Sequence, residues 1–104
     1  MKELVVVPKP EFLGDGCVYI LHFNSPFYHA RHYIGFSKSE EYLSQRIEDH
    51  EKGVSRVHLM HALKKNNISF TVAHIYYGVN RDFERFLKNK KNAPRLCPIC
   101  REKH

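Results

Sequence analysis

The 104-residue sequence contains no apolar run long enough to cross a bilayer, no internal repeat and no low-complexity segment. A membrane-spanning helix needs about 20 consecutive apolar residues, so the sequence argues against one. The start MKELVVVPKP also lacks the pattern of a secretory signal peptide. We therefore expect a soluble, intracellular protein, cytoplasmic or, in a eukaryotic cell, nuclear.

Cysteine is scarce: the chain has three, and two of them form the sequence Cys97-Pro98-Ile99-Cys100. An odd number with one CxxC pair suits a reducing compartment better than a framework of disulfides. A chain of this length can bury one modest core without cross-links. Its hydrophobic content of 42% is ordinary for a globular protein and argues against disorder. We expect one compact domain over residues 16–93, with an N-terminal extension over 1–15 and a tail over 94–104.

Acidic residues are outnumbered, because 17 Lys and Arg against 11 Asp and Glu give a net charge of +6, with eight His besides. A small basic domain of this kind commonly binds a polyanion, since phosphate contacts release condensed counterions. A soluble basic surface without such a partner explains the composition equally well. Composition alone leaves both interpretations open.

The hydrophobic pattern predicts six elements of secondary structure. Runs rich in β-branched and aromatic residues are typical of strands, and apolar residues three or four apart are typical of amphipathic helices. The order β-β-α-α-β-α predicts an α+β fold with a small, mainly antiparallel three-stranded sheet flanked by helices. The predicted strands cover residues 17–23, 32–36 and 68–77, the predicted helices cover about 39–52, 55–66 and 81–91, and a polar loop covers 24–31.

Local signals predict where the helices begin and end. Ser37 with Glu40 three residues later is a capping-box pattern, and Gly53 fits a C-terminal stop. Asn80 is expected to cap the last helix. Gly35, inside the second strand, indicates that another backbone or a ligand comes close to it.

Polar residues border the apolar faces of two predicted helices. Arg46 and His50 lie four residues apart on the first helix, and Glu84 lies among the apolar residues of the last one. An Arg at the margin of a core is costly unless an anion meets it, and a carboxylate suits a hard divalent cation. Taken singly, each has a simpler explanation: a rim Arg, a satisfied His and an ordinary Glu84–Lys88 pair.

In their order along the chain, these residues resemble the pattern of the GIY-YIG nuclease family. The two half-motifs read Cys17-Val18-Tyr19 and Tyr33-Ile34-Gly35 on successive predicted strands, followed by Arg46 on the next helix and Glu84 on a late helix. The resemblance covers about residues 16 to 95. Each half-motif is short, and the ordered set on a matching β-β-α-α-β-α frame carries the assignment.

The resemblance implies hydrolysis of DNA phosphodiester bonds with one divalent cation, Mg²⁺ or Mn²⁺. Glu84 matches the family's metal-binding carboxylate, and Arg46 matches the Arg that stabilises charge in the transition state. Tyr33 or Tyr19 would act on the attacking water, and His50 matches a residue that supports this network. A non-catalytic nucleic-acid-binding module with the same fold is the alternative, and RNA is a second possible partner.

The general base stays open between a tyrosine and His50. A free tyrosine titrates near pH 10, so forming a phenolate at pH 7 costs about 4 kcal/mol. Arg46, Lys38 and the metal would lower that cost, because cations favour the charged form. His50 titrates near neutrality and could take the proton while a tyrosine orients the water. We favour a tyrosine.

The sequence departs from the family pattern at several positions. Cys17 replaces the first Gly, and Phe36 follows Gly35 where some relatives have a Lys. The stretch between the half-motifs, residues 20–32, is longer than in many relatives and contains three of the eight His. These departures bear on activity more than on fold.

Basic residues near the motifs are candidates for phosphate contacts. Those that adjoin Glu84 could line a substrate groove, whereas a solvated basic helix face is the competing interpretation. The candidates are Lys38, Arg81, Arg85, Lys88 and Lys91.

The tail supplies Cys97, Cys100 and His104 as possible zinc ligands. A structural zinc site needs four ligands and the tail offers at most three, so Cys17 or a neighbouring chain would have to supply another. We favour the alternative, a thiol pair without a metal, because a single CxxC is weak evidence for zinc.

Overall fold

A computed structural model of the chain describes residues 9–28, 30–90 and 96–102. The three strands form one antiparallel sheet in the order β2-β1-β3. The predicted α+β class, with the order β-β-α-α-β-α, is confirmed, and a further helix follows in the tail. The elements are a short 3-10 helix (Pro10–Phe12), β1 (Leu13–Phe27), β2 (Ala30–Ser37), α1 (Glu40–Lys52), α2 (His58–Lys65), β3 (Phe70–Val79), α3 (Arg81–Lys90) and α4 (Pro98–Glu102).

Strand β1 lies in the middle of the sheet and packs side chains on both faces. Successive side chains of a strand alternate between faces, so Tyr19 and Leu21 join one core while Val18 and Ile20 join another. We call these the α1–α2 face and the α3 face, after the helices that cover them. The helices and the C-terminal segment contribute Leu43, Met60 and Leu63 to the first core and Phe83, Leu87 and Leu96 to the second.

The prediction of a loop over residues 24–31 is wrong for most of its length, because both strands continue into it. β1 runs to Phe27 and β2 begins at Ala30. The register shifts before Phe27, so the extra residues bulge from the ladder without ending it. Asn24 holds this bulge by donating to Ser69, just before β3, through its backbone (2.9 Å) and its side chain (2.6 Å).

Two of the three predicted helix signals are confirmed. Gly53 ends α1 with φ of 69°, a left-handed conformation that suits glycine. Asn80 caps α3 by accepting a 3.1 Å bond from a backbone N–H of the first turn. The prediction of Ser37 as the N-cap of α1 is wrong, because Ser37 is the buried last residue of β2. Ser39 is the N-cap and accepts from the backbone N–H of Tyr42.

In the part of the chain that the structure describes, no helix is long and apolar enough to span a membrane.

Candidate active site and a cysteine–histidine cluster

A chain of hydrogen bonds runs from α1 to the centre of the sheet on the α1–α2 face. Arg46 and His50, one turn apart, both contact the hydroxyl of Tyr19. Arg46 Nε donates to that oxygen at 3.0 Å, and His50 Nε2 lies 2.8 Å from it. On its other side, His50 Nδ1 lies 2.9 Å from Ser55 Oγ. Three predicted site residues are therefore linked directly, and Ser55 extends the chain.

Burial decides the protonation states of Tyr19 and His50 in this chain of hydrogen bonds. Tyr19 is 0% exposed and His50 is 2% exposed. Burial, with the neighbouring Arg46 charge, lowers the pKa of His50 to about 4, so the imidazole is neutral at pH 7. Burial also raises the pKa of Tyr19 well above its usual value, against the opposing charge of Arg46. Because one ring nitrogen of a neutral imidazole carries a proton and the other accepts, His50 donates to one of its two partners, Tyr19 and Ser55, and accepts from the other.

Tyr33 and Glu84 complete the neighbourhood around Arg46. The rings of Tyr33 and Tyr19 are 6.3 Å apart between centroids, and the charge of Arg46 acts on the hydroxyls of both. Burial raises the pKa of Tyr33, the Arg46 charge opposes this, and the Glu84 carboxylate adds to it. The same carboxylate raises the pKa of Tyr19. Glu84 therefore acts electrostatically on both tyrosines. We call Tyr19, Tyr33, Arg46, His50 and Glu84 the Arg46 neighbourhood; their catalytic roles stay predictions.

Glu84 is buried on α3, with 8% of its surface exposed. Its Oε2 lies 3.3 Å from Lys88 Nζ, so the ordinary i, i+4 pair considered from the sequence is present. Lys88 also lies 5.7 Å from the centre of the Tyr33 ring. Its side chain is 48% exposed, against 10% for that of Glu84, so the lysine can move into solvent while the carboxylate stays.

A groove of ≈ 270 Å³ opens beside Arg46. Lys38 and Arg81 line it together with Arg46, so two of the predicted phosphate contacts face the same space as the candidate catalytic Arg. Arg85 is exposed on α3 and is not among the residues that line this groove. Lys91 lies outside the described residues.

A second cluster of polar side chains lies on the α3 face. His22 and His32 face each other across β1 and β2, and Cys97 and Cys100 reach them from the C-terminal segment. The four ligand atoms all lie within 4.8 Å of one another, and the cluster could hold a metal ion. Among the described residues it is the one group of three or more His, Cys, Asp or Glu arranged in this way.

The structure changes the ligand set that the tail suggested. Cys97 and Cys100 belong to the cluster as predicted, and His104 lies outside the described residues. The suggestion of Cys17 as a further ligand is wrong, because its side chain lies in the core of the opposite, α1–α2 face. The partners are instead His22 and His32, which supply two nitrogen ligands from the same chain.

Sequence reasoning missed His22, His32 and Ser55. The unusual number of His in residues 20–32 was visible, but the predicted loop at 24–31 hid the pairing of His22 with His32 across two strands. No sequence pattern marked Ser55, which lies between two helices and five residues after His50.

Comparison of the chain with protein-family models, with curated proteins and with solved structures finds no match. The resemblance to the GIY-YIG family therefore rests on the half-motifs and on the residues around Arg46.

Proposed function

We propose that the chain is a metal-dependent endonuclease that hydrolyses phosphodiester bonds in DNA in the manner of GIY-YIG nucleases. The observation that carries the proposal is the position of Arg46. Its Nε donates to Tyr19, its charge opposes the rise that burial causes in the pKa of Tyr33, and it borders a groove that Lys38 and Arg81 also line. A basic groove with a fixed Arg at one wall suits a phosphate group.

Arg46 is assigned the stabilisation of charge on the phosphate. A donor held in place before the reaction stabilises developing charge without reorganising. The bond from Nε to Tyr19 fixes the plane of the guanidinium, and Tyr19 is held in turn by His50. Both Tyr19 and His50 are fully buried, and neither lines the groove. They are therefore positioning residues.

Tyr33 is assigned the orientation of the attacking water. It is half-buried, whereas Tyr19 is fully buried, so Tyr33 is the tyrosine that can meet solvent. Burial raises the pKa of Tyr33, so the hydroxyl acts at pH 7 as a neutral phenol that donates or accepts a hydrogen bond. This replaces a phenolate base, which the raised pKa makes still less favourable than in water.

Glu84 is assigned to hold Mg²⁺ or Mn²⁺. Glu84 is a buried carboxylate, and the described residues place no cluster of other ligands around it. This arrangement fits a hard cation that keeps most of its waters. When bound, the cation would supply further stabilisation of negative charge on the phosphate. The ligands of the cysteine–histidine cluster do not suit this ion, because thiolate and imidazole favour softer metals.

A non-catalytic nucleic-acid-binding module is the second candidate. The observation that favours it is the 3.3 Å pair between Glu84 and Lys88, since an ammonium group occupies the place that a cation would need. In that case the basic groove would bind DNA or RNA without cutting it.

The test compares Glu84→Gln with Asp82→Asn, an exposed carboxylate on the same helix. Wild type and both variants are incubated with linear, nicked and branched DNA and with RNA, with and without Mg²⁺. We expect Mg²⁺-dependent cleavage of DNA that Glu84→Gln lowers by more than about 100-fold and Asp82→Asn leaves within about twofold. Equal cleavage by Glu84→Gln and wild type would refute the assignment of Glu84. Binding without cleavage of any substrate would favour the second candidate.

A further inference from the structure

Four ligand atoms meet at the α3 face of the sheet, away from the Arg46 neighbourhood. His22 Nδ1 and His32 Nε2 are 3.3 Å apart. Cys97 Sγ lies 3.5 Å from His22 Nδ1, and Cys100 Sγ lies 3.5 Å from the same atom and 3.3 Å from His32 Nε2. Cys97 and His22 are buried, whereas His32 and Cys100 are half-buried, so the ligand atoms converge in a largely buried place.

These separations match the edges of a zinc tetrahedron. With Zn–N near 2.05 Å and Zn–S near 2.3 Å, tetrahedral geometry places two nitrogens about 3.3 Å apart and a nitrogen and a sulfur about 3.6 Å apart. The one N–N distance and the three N–S distances in the cluster are 3.3 Å and 3.3 to 3.5 Å. Each of these four distances therefore allows a single zinc ion to lie within bonding distance of all four ligand atoms.

The elements that carry the ligands are built to hold them at this spacing. His22 and His32 are direct partners in the antiparallel β1–β2 ladder and point to the same face. Cys97 immediately precedes α4, and Cys100 lies in its first turn. The two thiols therefore lie on one tight turn, and the two imidazoles on one pair of strands.

We propose that His22, His32, Cys97 and Cys100 form a closed, structural Zn²⁺ site that fastens the C-terminal segment 96–102 to the β1–β2 pair. Two thiolates and two neutral imidazoles around Zn²⁺ carry no net charge, so the ion is compatible with a buried place. Four protein ligands complete the tetrahedron and leave no position for a substrate or water, which distinguishes the site from a catalytic zinc centre.

The C-terminal segment needs such a fastening. α4 has five residues, and a helix so short is not stable on its own. Apart from the cluster, the segment is anchored by Leu96, which is 2% exposed in the α3-face core, and by contacts of α4 with β3. Because ligands must be brought together for zinc to bind, the free energy of zinc binding becomes free energy of folding for this segment.

The first test measures the metal and its geometry in the full-length chain. We expect about one zinc ion per chain by elemental analysis. Replacing zinc with Co²⁺ is expected to produce the intense visible bands of tetrahedral cobalt and a thiolate charge-transfer band. A spectrum typical of octahedral Co²⁺, or a disulfide between Cys97 and Cys100 in the freshly purified chain, would overturn the proposal.

Matched variants test the ligand assignment. Cys100→Ala and His32→Ala are compared with Cys17→Ala and His58→Ala, which change the same residue types outside the cluster. The first pair is expected to lower the affinity for zinc by more than about 100-fold, and the second pair to leave it unchanged. Unchanged zinc affinity in Cys100→Ala would contradict the site, even if His32→Ala failed to fold.

Glu84→Gln separates this proposal from the nuclease proposal. Glu84 is not one of the four ligands of the cluster, so this variant is expected to keep its zinc and its cobalt spectrum in full. Loss of cleavage with zinc retained would support both proposals, whereas loss of zinc in Glu84→Gln would overturn the separation of the two sites.

Discussion

The ring of Tyr19 lies against the α-carbon of Gly35, its partner on β2. A Cβ added at residue 35 would overlap the ring and the hydroxyl of Tyr19. Residue 35 must therefore lack a side chain if the Tyr19 hydroxyl is to reach His50 and Arg46. The glycine of the second half-motif thus keeps open the space that the tyrosine of the first half-motif occupies.

Gly35→Ala is expected to destabilise the domain by about 1–3 kcal/mol, the usual cost of overpacking a filled core. Tyr19 cannot move away, because it is 0% exposed and held by two hydrogen bonds. Urea unfolding followed by circular dichroism measures the change. Gly14→Ala is the matched control with a smaller expected loss, since its Cβ would meet Asn80 Cβ only at 3.1 Å. Equal stability of Gly35→Ala and wild type would show that the core can yield at this point.

Arg46→Lys is expected to lower DNA cleavage by more than about 100-fold while changing DNA affinity little. Lysine keeps the positive charge but lacks the planar group whose Nε donates to Tyr19 at 3.0 Å. Single-turnover cleavage and equilibrium binding measure the two effects separately. Arg85→Lys, a change at an exposed residue of α3, should leave both unchanged. Cleavage by Arg46→Lys at the level of wild type would mean that the charge of Arg46, and not its geometry, matters, and an equal loss in Arg85→Lys would remove the special role of Arg46.

His50 is expected to make the folded state sensitive to acid. Burial lowers its pKa from 6.5 to about 4, so below pH 6.5 the unfolded chain takes up a proton that the folded chain refuses. The contribution of His50 to stability is therefore complete above pH 6.5 and is lost progressively as the pH falls from 6.5 to about 4. The loss from this residue is about 3 kcal/mol at most.

The comparison of wild type with His50→Gln isolates this effect. The variant is expected to be less stable at pH 7, because it loses the 2.9 Å contact with Ser55, but to lose less stability between pH 6.5 and 4. Urea unfolding at a series of pH values measures the two curves, and other titrating groups contribute to both. If the stabilities of wild type and His50→Gln fell in parallel between pH 6.5 and 4, this result would contradict the lowered pKa of His50.

Much of the fold could be predicted because its signals are local. The strand CVYILHF, the stop at Gly53 and the cap at Asn80 each depend on a few neighbouring residues. The prediction failed at residues 24–31, where a bulge and a bond from Asn24 to Ser69 extend the strands through a polar, proline-containing stretch. That bond joins residues 45 positions apart, which no local pattern contains.

The candidate active site was predicted in part. Arg46, His50 and Glu84 stand out in the sequence by their positions on helix faces and by their order after the half-motifs. Burial of the site could not be predicted from these features, yet it decides the chemistry: Tyr19 and His50 are both too buried to meet a substrate. The sequence therefore favours a tyrosine base, whereas burial raises the pKa of Tyr33 and keeps it a neutral phenol at pH 7.

The sequence by itself determined the α+β class, the order of the elements, and the presence of a CxxC pair in a basic chain. Only the tertiary structure decided that Cys97 and Cys100 meet His22 and His32, and that Cys17 faces the other way. The physical reason is that strand and helix signals arise from neighbouring residues, whereas a ligand set depends on strand register and on where the tail docks. His22 and Cys97 are 75 residues apart in the chain, and only the folded sheet brings them within 3.5 Å.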